Sequence, residues 1–345
     1  MTYTSEERVL AVLNGEIPDR VPIFDYLIHD GVFEKVGFKD IKPGDIDSHL
    51  AACAKCLDLC HSCYGTPYVP SETINDDGSK TRTERWMSWR VPAPSAVVSE
   101  DVYLARLKQQ IEWLESGGPA KDYIHAKKRY DGDMIYVCIG ANPSLPYDNT
   151  EHSIYLYSDY PELVERRMAL ENQKTMELLQ ETAFPELSPV ALFWADIAYK
   201  GGLFYPLDVL ERLVFPAIRD MCDLLHSRGI KVVFHSDGNL TSILPQLVNC
   251  GIDGLNPLEI SAGMDYVSFK EDYGSKVVLV GGMDAVDALA FGTIDEVVAE
   301  TKRLIDVAGR GGGLIAASSS GQIDDSMPTD NVMAYFETIW EYGKY

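Results

Sequence analysis

From about residue 130 to the C-terminus the chain alternates between short β-branched, apolar runs and longer segments with helical spacing. The apolar runs are MIYVCIGA (134–141), PVALFWADI (189–197), KVVFHSD (231–237), IDGLNPL (252–258), KVVLVGG (276–282) and GLIAASS (313–319). They are apolar nearly throughout rather than at every second residue. Each therefore predicts a strand covered on both faces, and together they predict a parallel sheet. Helical segments at 160–182, 206–229, 293–309 and 328–343 separate or follow them. Ser158 and Asp159 stand ahead of Pro161, and Gly229 follows His226 and Arg228. These are signals for a proline-led helix start and for a glycine just past a positively charged last turn. Repeated strand–helix units build either a closed barrel or a doubly wound sheet.

Two further strands bring the count to eight. RVPIFDYL (20–27) predicts the first strand. Residues 67–92, with NDDG (75–78) as a tight turn, predict a β-hairpin. One arm is expected to supply the second barrel strand and the rest to be an insertion, with a helix at 98–117 leading back into the pattern. The expected fold class is α/β: a (β/α)8 TIM barrel with an N-terminal extension and a β-hairpin insertion. Residues 1–345 are expected to form one domain, an ordinary length for such a barrel.

Charge and cysteine content narrow the function classes. The formal net charge is −23 and no dense Lys/Arg stripe is present, which argues against nucleic acid as a partner. No apolar run reaches the 18 or so residues that span a bilayer. The start, MTYTSEERVLAVLNGEIPDR, lacks the basic and apolar regions of a secretory signal. A cytoplasmic protein with reduced thiols is expected. Four of the seven cysteines, Cys53, Cys56, Cys60 and Cys63, fall in HLAACAKCLDLCHSC, which reads as a helix. Their spacing suits either one helix face or a metal cluster. On a continuous helix the thiolates would span about 15 Å, too far for one ion, so packing is the favoured reading.

Barrel enzymes place their chemistry at strand C-termini and in the loops that follow. Those positions carry Asp25, Tyr26 and His29; Asn142; Asp196, Tyr199 and Lys200; His235, Ser236 and Asp237; Glu259; Asp284; and Ser318, Ser319 and Ser320. Any single Asp or Ser there could merely cap the next helix. The pair His235 and Asp237 is more informative, because residues i and i+2 of a strand point to one side. An imidazole and a carboxylate make half of a zinc site. Glu259, at the next strand end, is the expected third ligand, and Ser319 is a weaker one. A metal-free His–Asp hydrogen bond remains the alternative. Asp25, Asp196 and Tyr199 are candidate proton carriers. Trp194, Phe204 and Tyr205 line a substrate pocket or pack the core.

Several segments carry a family resemblance: Glu7-Arg8-Val9-Leu10, LNGEIPDRVPIFD (13–25), GGLFYP (201–206), FHSDGN (234–239), GIDGLNPLE (251–259) and GGMDA (281–285). Together they resemble the uroporphyrinogen decarboxylase-like superfamily over nearly the whole chain, and that resemblance implies a (β/α)8 barrel. The porphyrin decarboxylases carry an arginine-rich N-terminal segment for the substrate carboxylates. Here VPIFDYLIHDG has no arginine beyond Arg20, and an acidic chain hosts a polycarboxylate poorly. The chain is more similar to the corrinoid-dependent methyltransferase branch. Its thiol-directed members have His-x-Cys at His235-x-Asp237 and a cysteine near Ser319. With both cysteines absent, ligation by His235, Asp237 and Glu259 implies a harder zinc, suited to an ether oxygen. The resemblance thus implies the methyl-donor-cleaving component of an O-demethylase. Zn2+ would be its metal, a methoxylated aromatic its donor, and a corrinoid (cobalamin) on a partner protein its methyl acceptor. A decarboxylase of a small carboxylated substrate and a catalytically inactive barrel subunit remain alternatives. No membrane partner is expected, and a homodimer is left open.

Overall fold

The computed structural model describes residues 3–61, 68–75, 79–91, 100–118, 132–137, 139–148 and 150–345. Among the described residues eight parallel strands form a ring. They are β1 (Phe24–Asp25), β2 (Leu59–Cys60), β3 in two pieces (Ile135–Tyr136 and Ile139–Gly140), β4 (Val190–Trp194), β5 (Lys231–His235), β6 (Gly254–Asn256), β7 (Val278–Met283) and β8 (Leu314–Ser318). Pairing runs β1–β2–β3 and then β3–β4–β5–β6–β7–β8. The ring closes where Ile23 bridges Ala316 and the Ala316 N–H donates to the Pro22 carbonyl at 2.9 Å. This is the (β/α)8 barrel that the alternation predicts.

Alternate strand residues fill the ring's interior, including Phe24, Leu59, Ile135, Leu192, Val233, Val280 and Ile315. Residues facing outward pack on the surrounding helices. Helix Phe215–Ser227, for example, buries Phe215, Ile218, Met221, Cys222 and Leu225 along one stripe. Its end is as expected: Gly229, at φ +74°, donates to the His226 carbonyl. The first helix, Ser5–Leu13, is held by a capping box between Thr4 and Glu7 and sends Val9, Val12 and Leu13 into the ring interior from below. Among the described residues no helix is long and apolar enough to cross a membrane.

The N-terminal third departs from expectation in two places. The second barrel strand is Leu59–Cys60 and not an arm of the 67–92 hairpin. Ser71–Ile74, Lys80–Thr83 and Ser88–Val91 instead form an antiparallel meander. Its outer strands are exposed along their whole length, whereas a barrel strand is buried on both faces. The helix expected across 49–63 stops at Cys53. What breaks it is Asp58, which the barrel floor claims: the Arg8 and Arg20 guanidiniums lie 2.6 and 2.7 Å from its carboxylate, and the Ile23 N–H donates to it at 3.0 Å. Cys53, Cys56 and Cys60 are buried core residues, and burial pushes the Cys56 thiol up to about 12. Cys63, residues 76–78 of the NDDG turn and residues 98–99 lie outside the described residues.

Candidate metal centre

Strands β4 and β5 pair in register, Phe193 beside Phe234 and Trp194 beside His235. They also end alike, in Phe193-Trp194-Ala195-Asp196 and Phe234-His235-Ser236-Asp237. Every second residue shares a face, so the register carries Asp196 and Asp237 side by side, just above Trp194 and His235. The Asp237 N–H donates to Asp196 Oδ1 at 3.1 Å. His235 Nε2 lies 3.9 Å from Oδ1 of Asp196 and 3.9 Å from Oδ1 of Asp237. One ligand atom from each of the three residues lies within 4.8 Å of the others. The repeated Phe-x-x-Asp ending is visible in the sequence, but only the β4–β5 register turns it into a neighbour relation for Asp196.

The cluster is electrostatically unfinished. Asp237 Oδ1 is shut off from solvent and has no hydrogen-bond partner among the described residues. Burial raises the Asp237 carboxyl above the usual range; His235 opposes this, and the negative Asp196 and Glu259 add to it. His235 is 2 % exposed. Its Nδ1 lies 2.6 Å from Asn256 Oδ1, a partner that the strand-end inventory missed. Asn256 is opposite His235 in the β5–β6 register and fully buried. The ring of Trp194 is 5.0 Å from that of His235, and Tyr26 is 5.6 Å from Trp194. A cavity of about 850 Å³ opens beside the cluster, with Trp194, Asp196, Tyr147, Tyr205, Arg167 and Trp113 in its wall. That volume suits a small organic ligand.

The other expected site residues are distributed as follows. Glu259 is not brought into the three-residue group: its carboxylate accepts from the Gly238 N–H at 2.8 Å and from Ser261 Oγ at 2.6 Å. Ser319 is turned toward the loop after β7, where its Oγ accepts from the Ala285 N–H at 3.2 Å. Asp25 is 1 % exposed and accepts from the Ser318 N–H and Oγ at 2.8 and 2.9 Å. This ties β1 to β8, and burial pushes the Asp25 carboxyl up to about 7. Tyr199 is half exposed and stacks on the half-buried Phe204 at 5.2 Å. Tyr205 is buried and donates its hydroxyl to the Tyr147 carbonyl at 2.7 Å. Asp284 caps the loop after β7 by accepting from the Val286 and Asp287 N–H groups.

The family model for uroporphyrinogen decarboxylase (URO-D) matches residues 148–342, which span β4 to β8 and the whole three-residue group. The chain belongs to the uroporphyrinogen decarboxylase family. No curated protein matches it in sequence. Among solved structures, a methyltransferase from Methanosarcina mazei is similar over 99 % of both chains, at 19 % identity and a TM-score of 0.63. At that identity the likeness speaks for the barrel alone. A Bacillus subtilis protein with an EAL domain aligns over 80 % of this chain and 60 % of its own, at 12 % identity and a TM-score of 0.32. A sugar phosphate isomerase/epimerase from Parabacteroides distasonis aligns over 70 % of this chain and 92 % of its own, at 11 % identity and a TM-score of 0.32. Neither of these two bears on the site.

Proposed function

We propose that this family member is a methyltransferase that cleaves a small methyl donor, an aryl methyl ether, with the help of zinc and passes the methyl group to the cobalt of a separate corrinoid protein. The observation that carries this reading is the juxtaposition of Asp196, His235 and Asp237 at the barrel mouth. A divalent cation fits these residues, because Asp237 Oδ1 is buried without a donor and the group sums two carboxylates against one imidazole. Bound there, zinc would supply Lewis acidity toward the donor's ether oxygen. One nitrogen and two oxygen ligands make a harder site than thiolates do, and this favours an oxygen-bearing donor over a thiol. The likeness in fold to a methyltransferase agrees with this reading.

The remaining roles belong to the chain's own side chains. Trp194 and Tyr205, in the wall of the cavity, pack against the aryl ring and keep water from it, with Phe204 behind them. Tyr199, half exposed at the rim, delivers the proton that the departing phenolate takes up. Asp196, which touches both the cavity and the cluster, would help hold the zinc at the edge of the cavity. Asp25, Ser319 and Glu259 shape the mouth from the strand ends and loops around it. Elemental analysis combined with turnover tests the reading. About one zinc per chain is expected, lost in His235→Ala, together with demethylation of a methoxyphenol in the presence of reduced cobalamin. Metal-free protein with full activity would overturn it.

A further inference from the structure

We infer that Asn256 is a positioning residue that fixes the tautomer of His235 and so keeps Nε2 free to bind a metal ion; this rests on the metal reading above. The chain of donors and acceptors has one consistent direction. The Asn256 amide nitrogen lies 2.8 Å from the Val280 carbonyl oxygen, which can only accept. The amide must therefore turn Nδ2 toward β7 and Oδ1 toward His235. Oδ1 can likewise only accept, so at 2.6 Å the proton between the two residues sits on His235 Nδ1. A neutral imidazole carries one N–H. With that proton on Nδ1, the Nε2 lone pair faces the Oδ1 atoms of Asp196 and Asp237, each 3.9 Å away. In a relay of opposite sense Nε2 would carry the proton and could not act as a ligand.

The ring is also held in plane. Gly321, at φ +73°, lets the loop after β8 lie against the imidazole edge, where a Cβ would stand 3.0 Å from Cε1. The Trp194 ring crosses it at 62° on another side. Asn256 and His235 are both at strand ends and both buried, so the relay runs through the barrel wall from β7 across β6 to β5. Such outer partners of a metal-bound imidazole set its orientation and its basicity.

The test combines a tautomer measurement with zinc binding. In metal-free protein labelled with 15N-histidine, at about pH 8, the His235 signal is assigned by its absence in His235→Gln. Its nitrogen shifts should show Nδ1 protonated and Nε2 bare. In Asn256→Leu the proton should move to Nε2, and zinc affinity in chelator competition should fall roughly 10- to 100-fold. Asn256→Asp retains an acceptor for Nδ1 and should keep the wild-type tautomer and most of the affinity. A bare Nδ1 in the wild type, or wild-type zinc affinity in Asn256→Leu, would overturn the inference. If Asn256→Leu does not fold, the wild-type tautomer and the Asn256→Asp affinity still decide. If the wild type shows the expected tautomer but binds no zinc, the metal reading fails while the positioning role stands.

Discussion

Two carboxylates at opposite ends of the barrel are treated differently. At the floor, Asp58 is fully buried and every lone pair is used. It accepts from Ser5 Oγ at 2.8 Å, Arg8 Nη1 at 2.6 Å, Arg20 Nη1 and Nη2 at 2.7 and 2.9 Å, and the Ile23 N–H at 3.0 Å. At the mouth, Asp237 Oδ1 is equally shut off from water and has no donor among the described residues. Asp196 and Glu259 add further negative charge beside it. A buried oxygen without a donor costs free energy; under the proposed reading a cation from outside would offset that cost at the mouth, whereas the floor is complete without one. The barrel's division of labour has the same form: stability at the strand N-termini, chemistry at the C-termini.

Removing each half of the comparison should give different failures. Asp58→Ala leaves Arg8 with only Asp19 as a carboxylate partner and takes the carboxylate from the half-buried Arg20, and it should cost about 3 kcal/mol in urea unfolding. An unchanged denaturation midpoint would mean that the floor does not depend on this hub. Asp237→Asn should do the reverse. Metal-free stability should hold or rise, while zinc affinity falls at least about 100-fold, beyond what loss of an outer partner usually costs; a metal-free variant as unstable as Asp58→Ala would erase the contrast between the ends.

Asp25 sharpens the comparison through pH. Its folded value of about 7 lies above the ordinary 3.8 of an exposed aspartate. The folded state therefore holds the proton more tightly, and the group's contribution to stability is fully present below about 3.8 and lost as pH rises toward 7. Between pH 5 and pH 8 the wild type should lose on the order of 2 kcal/mol through this group. Asp25→Asn should remove that slope, as read by unfolding at the two pH values, and an identical slope in both proteins would refute it. The smallest effect is expected for Glu259→Gln. Its oxygens are already engaged by Gly238 and Ser261, so zinc affinity should change a few-fold at most. A loss as deep as that of Asp237→Asn would put Glu259 in the ligand set.

How much was legible follows from the kind of signal each element carries. Strands β4 to β8 are buried on both faces, so their apolar runs mark them directly. Strand β2 is only Leu59–Cys60, set inside a stretch of helical spacing, and its place is decided by Asp58 meeting two arginines 50 and 38 residues away in sequence. No local pattern records that pairing. At the site, His235 and Asp237 share a face by strand geometry alone, which is why the pair could be read from its spacing. Barrel order alone points to Glu259 as third ligand. The Gly238 N–H had already drawn its carboxylate aside.

The sequence by itself determined the barrel, the strand ends that carry polar side chains, and the coupling of residue 235 to residue 237, because period and spacing are local properties of the chain. Tertiary structure alone decided that Asp196 stands beside them, that Asn256 orients the imidazole, and that Asp25 ties β1 to β8. Each depends on the register between neighbouring strands, and register is set by the packing of the whole ring.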